Sequence, residues 1–73
     1  MMKIVNDRST YHRFSFYFDY NNLVVAFCRH LKEKWGWREF GFDATKKAWV
    51  FSKYAIAEEL VDHYPGVSVD EDI

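Results

Sequence analysis

The chain has 73 residues, of which 49% are hydrophobic and 21% aromatic, and its formal net charge is −1. Seven Phe, five Tyr and three Trp exclude a disordered tail, and the length leaves room for one small domain. One cysteine, Cys28, excludes an internal disulfide, and no four-ligand zinc set is present. These features predict a soluble, compact, intracellular-type α/β or α+β domain.

The net charge conceals an asymmetry. Residues 1–53 hold all ten Lys and Arg against five acids, a balance of +5. Residues 54–73 hold six acids and no Lys or Arg, a balance of −6. Such a split suits a polyanion-binding face, and equally a helix and tail that are simply acidic. The longest apolar run, Leu23–Cys28, is far short of the roughly 18 residues a membrane span needs, so no membrane partner is expected.

Residues 1–10 are expected to be a flexible N-terminal segment, lacking the apolar stretch of a signal peptide. The single α+β domain is expected over 11–70. Residues 71–73 form an acidic end where a longer chain could continue. In 11–20, Phe14, Phe16 and Phe18 alternate with Arg13, Ser15, Tyr17 and Asp19, which predicts a strand. Asn21 and Asn22 offer an N-cap to an amphipathic helix. Its apolar stripe is Leu23, Val24, Phe27, Cys28, Leu31 and Trp35, and Gly36 ends it as an αL residue.

Residues 37–43 alternate again, with Phe40 and Phe42 on one side. Asp43–Lys47 is polar and turn-like, and Trp49 and Phe51 alternate beyond it, which predicts a hairpin. Ser52 can cap a second helix with Ile56, Ala57, Leu60, Val61 and Tyr64 inward. Pro65-Gly66 ends that helix, and Val67 and Val69 alternate in a short last strand.

The order β-α-β-β-α-β predicts a four-stranded, mainly antiparallel sheet with two helices on one face, ferredoxin-like or related. The core is expected from Phe14, Phe16, Phe18, Phe27, Leu31, Phe40, Phe42, Trp49, Phe51, Ile56 and Leu60. The other sheet face would carry Arg13, Ser15, Tyr17, Trp37, Glu39, Gly41, Ala48 and Val50, uncovered and open to a partner.

No enzyme chemistry is visible. The three glycines are isolated, so no phosphate-cradling loop exists. His12, His30 and His63 fall one to an element, without metal-ligand spacing, and read as solvent-facing. Cys28 lies on an apolar stripe, which makes it a buried structural thiol. Glu58 and Glu59 are adjacent on a helix and point apart. Asp70-Glu71-Asp72 reads as a solvated acidic terminus. No cofactor, metal or catalytic residue is expected.

The binding signals are basic and aromatic. Lys46 and Lys47 sit at the hairpin tip, with Arg38 and Lys53 near its ends. Lys32 and Lys34 end the first helix, beside Trp35-Gly36-Trp37-Arg38. Cations meet phosphates and rings stack on unpaired bases, so these residues, with Arg13, Tyr17 and Trp37, are the candidate nucleic-acid contacts. The alternative is solubilising lysines, the helix-end ones favoured by the macrodipole.

A wider pattern joins these elements. A strand ending Tyr-Phe-Asp-Tyr (17–20) precedes a helix, then Gly-Trp-Arg (36–38) and Phe-Asp-Ala-Thr-Lys-Lys-Ala-Trp-Val-Phe (42–51). A helix ending His-Tyr-Pro (63–65) leads to Val-Ser-Val-Asp (67–70). This resembles the small domain ahead of the motor in SNF2-type and DEAD/DEAH-like helicases, and the HARP domains of annealing helicases. Lys47, Trp49 and Phe51 match its most distinctive part. The resemblance implies a non-catalytic accessory domain that helps an adjacent ATP-dependent motor engage branched or single-stranded DNA in repair. Trp49 would then be structural, with Phe16, Phe18, Phe27 and Phe51, while Lys46 and Lys47 project. It also implies a nucleoid or nuclear setting within the cell.

Two other readings stay open. A protein-interaction module would use the uncovered sheet face or the acidic second helix. A four-stranded sheet is also similar to the RNA-recognition fold, and Arg38-Glu39-Phe40-Gly41-Phe42 matches part of its signature. The first glycine is missing, however, and Phe40 and Phe42 are expected to face the core.

Overall fold

The computed structural model describes residues 1–72. The elements are β1 (Met2–Asp7), β2 (Phe14–Phe18), α1 (Asn22–Trp35), β3 (Phe40–Asp43), β4 (Ala48–Phe51), α2 (Tyr54–His63) and β5 (Ser68–Asp72). They form a small α+β domain with a five-stranded mixed sheet in the order β3-β4-β2-β1-β5. β1 pairs antiparallel with β2 and parallel with β5. β4 pairs antiparallel with β2 and with β3.

The expected sheet of four strands is therefore corrected to five. The additional strand, β1, falls in the segment expected to be flexible, and it sits between β2 and β5. Its alternation is masked by one residue. Register places Met2 beside Phe18, Ile4 beside Phe16 and Asn6 beside Phe14, all on the ring-bearing face. Ile4 and Asn6 are both fully buried, so a polar residue stands where the pattern calls for an apolar one. Asn6 is tolerated because it is bonded: Arg13 Nε donates to its Oδ1 at 3.1 Å.

One core fills the space between this face and both helices. The strands contribute Ile4, Phe14, Phe16, Phe40, Trp49 and Phe51. α1 contributes Val24, Cys28 and Leu31, and α2 contributes Ile56, Ala57 and Leu60. Phe14 and Phe40 each stack on Phe51, with ring centres 5.0 and 5.6 Å apart. Phe18 and Phe27 are only partly buried at its margin. Phe27 lies flat against His63, 3.9 Å between ring centres, so that histidine is not simply solvated.

The expected cap of α1 stands, while several other local expectations change. Asn21 caps α1 through its Oδ1, which accepts from the amides of Leu23 (2.9 Å) and Val24 (3.4 Å). Leu23, placed on the apolar stripe, is exposed, while Val24, Cys28 and Leu31 form the buried side of α1. Gly36 takes φ +92° with ψ 151°, so its φ is positive but its ψ is extended rather than αL. Its carbonyl accepts from both Glu39 and Phe40 amides at 3.1 Å. That turn occupies Trp37–Glu39, so neither Trp37 nor Glu39 lies on the sheet face. Lys53, not Ser52, precedes α2, and Ser52 Oγ instead donates to Glu39.

Phe42 departs most from the expected core. It pairs with Trp49 and shares its face, yet it is 55% exposed. β3 is an edge strand, so Phe42 has a neighbouring strand on one side only. On the opposite face, Ser15, Ala48 and Val50 are buried, which makes its centre less open than the pattern implies. These short side chains sit in strands flanked on both sides.

Cys28 is fully buried, and burial pushes its thiol up to about 12. A thiol reagent at neutral pH is expected to label it slowly in the folded chain and rapidly in denaturant. Rapid labelling of the folded chain would place the thiol at the surface.

Candidate nucleic-acid interface

The β3–β4 turn is built by Asp43. Its Oδ1 accepts from the amides of Thr45 (2.9 Å) and Lys46 (3.1 Å), which turns the backbone without help from glycine. Lys47 then takes φ +54°, an uncommon conformation for a residue with a side chain. Lys46 and Lys47 are both exposed at this tip.

Lys47 also lines a cleft of about 570 Å³. The floor is Phe18 and Trp49 from the end of the core, with Val25 of α1 beside them. Phe42 and Tyr20 form its exposed aromatic walls, and Arg29 of α1 faces it as a second cation. Phe42 meets Trp49 edge-on, with ring centres 5.5 Å apart. Tyr20 is 82% exposed, and its hydroxyl donates to Asn22 Oδ1, which steadies the ring. Among the described residues, neither Arg29 nor Lys47 is held in an ion pair.

A shallower hollow of about 540 Å³ continues along α1, lined by Arg29, Lys32, Glu33, Gly36 and Trp37. Arg29 belongs to both. Val25, Arg29 and Lys32 recur at helical spacing, with Gly36 just past the helix end, so one face of α1 walls both spaces. Trp37 is 71% exposed, and the Arg38 guanidinium lies over its ring at 5.3 Å.

The other expected contacts are engaged elsewhere. Lys34 Nζ is 2.9 Å from Glu59 Oε1, which also accepts from Trp35 Nε1 at 3.2 Å. Donation from Lys34 holds the Glu59 carboxyl below the usual carboxylate range, with Trp35 adding to the effect. This knot ties the end of α1 to α2. Arg13 does not project from the open face. Its guanidinium bonds Asn6 and lies over the rings of Phe14 and Tyr54, at 5.2 and 5.0 Å. Tyr17 lies on the open face with Lys3 Nζ 5.7 Å from its ring centre. Lys53 is exposed at the start of α2, where its charge acts on Glu39. Ser52 and Tyr11 hydroxyls donate to Glu39 and hold its carboxyl low, while His12 Nε2 lies 2.7 Å from the Arg38 carbonyl.

The nine expected contact residues thus do not form one surface. Lys47 joins the cleft, Lys32 and Trp37 share the hollow with Arg38 against the indole, and Lys34 and Arg13 hold the fold together. Arg29, Tyr20 and Phe42 are the residues that sequence reasoning missed. Arg29 follows Val25 by four positions and so shares its helix face, a signal present in the sequence. Exposure of Phe42 depends on β3 being outermost, which the sequence does not state.

Among the described residues, no helix is long and apolar enough to cross a membrane. No family model, curated protein or solved structure matches this chain.

Proposed function

We propose that this domain is a non-catalytic nucleic-acid-binding module that engages single-stranded or forked DNA beside an ATP-dependent helicase motor. The observation that carries the reading is the convergence of two cations, Lys47 and Arg29, on a cleft walled by exposed rings. Cations neutralise phosphates, and rings offer stacking to any base, the combination that single-strand binding uses. The hairpin's resemblance to helicase accessory domains supplies the motor context. The acids of α2, Glu58 and Asp62 among them, repel DNA and orient it toward the hairpin.

The test is a fluorescence titration of a labelled fork at two salt concentrations. The expected dissociation constant is about 10⁻⁴–10⁻⁶ M at physiological salt, because few phosphates can be met by so small a patch. Binding should weaken steeply as salt rises. Replacing Lys46 and Lys47 together by Glu should weaken it to a similar degree for every sequence, since phosphate contacts carry no base information. Absence of binding at low salt and high micromolar protein would end this reading. A protein-binding module, favoured by the exposed Phe42 on the outermost strand, would replace it, and its apolar contact would be nearly indifferent to salt.

A further inference from the structure

We infer that the cleft between α1 and the β3–β4 hairpin is a base-stacking site: an unpaired base seats against Phe42 and Tyr20 while Arg29 and Lys47 hold its flanking phosphates. This inference rests on the DNA-binding reading and adds to it where the base goes and which residues hold it.

The argument begins with what is costly. Phe42 is an apolar ring left more than half exposed on an edge strand, although its neighbour Trp49 is only 8% exposed. The Phe42–Trp49 contact is edge-on, with ring planes 65° apart, so the two rings are not stacked face to face. Tyr20 is exposed to a still greater degree, and its hydroxyl donates to Asn22 Oδ1. Two rings lining one cleft with their surfaces open offer a stacking platform.

Charge complementarity then selects the occupant. The charged residues lining the cleft are Arg29 and Lys47, both cationic. A neutral apolar peptide would leave both without a counter-charge. A nucleotide satisfies both features at once, because it carries a flat aromatic ring and an anion on one short frame. Arg29 also lines the hollow that holds Lys32 and Trp37, so a strand leaving the cleft over Arg29 reaches a second cation and a second open ring. The one acid there, Glu33, opposes that path and makes the first cleft the stronger of the two sites.

The experiment compares two labelled probes by anisotropy at low salt: a short thymidine oligonucleotide and an abasic deoxyribose-phosphate chain of equal length. The intact chain is expected to bind the thymidine probe more tightly, by about fivefold or more. Phe42→Ala and Tyr20→Ala should each remove most of that preference, weakening the thymidine probe by a larger factor than the abasic one. Tyr20 lies outside the core, so its variant decides the matter if Phe42→Ala perturbs the melt. Arg29→Glu should weaken both probes and flatten the salt dependence by about one unit of slope. Equal affinity for the two probes, with Tyr20→Ala indistinguishable from the parent, overturns the base-stacking site while leaving phosphate binding through the lysines intact. Failure of both probes to bind removes the DNA-binding reading and this inference together.

Discussion

Deleting Met1–Asp7 is expected to abolish cooperative folding. β1 lies between β2 and β5, so its removal breaks two backbone ladders at once. It also removes Ile4, fully buried, and Asn6, which accepts the Arg13 hydrogen bond. Loss of a buried Ile side chain alone costs about 2–5 kcal/mol. A domain of this length has about 4–11 kcal/mol in total, so the combined loss exceeds what it can absorb. Circular dichroism on heating should show no sigmoidal transition for the deleted chain. A cooperative melt near the parent midpoint would mean that β1 is dispensable and the four-stranded expectation correct.

Phe51→Ala is expected to cost about 3–5 kcal/mol, measured by urea denaturation. Phe51 is fully buried on β4 and stacks against Phe14 on one side and Phe40 on the other. Truncation leaves a cavity among rigid rings that cannot collapse easily, which adds to the lost transfer energy. Phe42→Ala is the internal comparison, because it changes the same residue type on the neighbouring strand. Its ring is already half in water, so the loss should be several-fold smaller. Equal losses at the two positions would mean that Phe42 is packed, and the cleft would lose its exposed wall.

Much of this fold was legible from periodicity. Phe14, Phe16 and Phe18 alternate cleanly, and Val24, Cys28 and Leu31 recur at helical spacing, so β2 and α1 stand where the pattern puts them. The β3–β4 hairpin was legible for the same reason, with Asp43 as its turn residue. β1 was not, because buried Asn6 reverses the expected polarity of its inward face. Parallel pairing with β5 also leaves no local mark, since the partners lie at opposite ends of the chain. The cleft was half legible: Lys47 followed from the hairpin, whereas Tyr20 and Phe42 became wall residues only through the sheet order. Arg13 shows the limit of charge reading, since its guanidinium is spent on Asn6 and two rings.

The pairing of the first strand with the last also sets an order in time. The β1–β2 and β3–β4 hairpins close over short loops, whereas β5 finds β1 only after both helices and the hairpin between them have been made. Contacts this distant in sequence form late and slowly. During synthesis, β1 therefore waits with one row of amides and carbonyls unpaired, an edge that can recruit the same strand from a neighbouring chain. A ribosome stalled after α2 would hold the domain in that sticky form, and the emergence of β5 is what closes it.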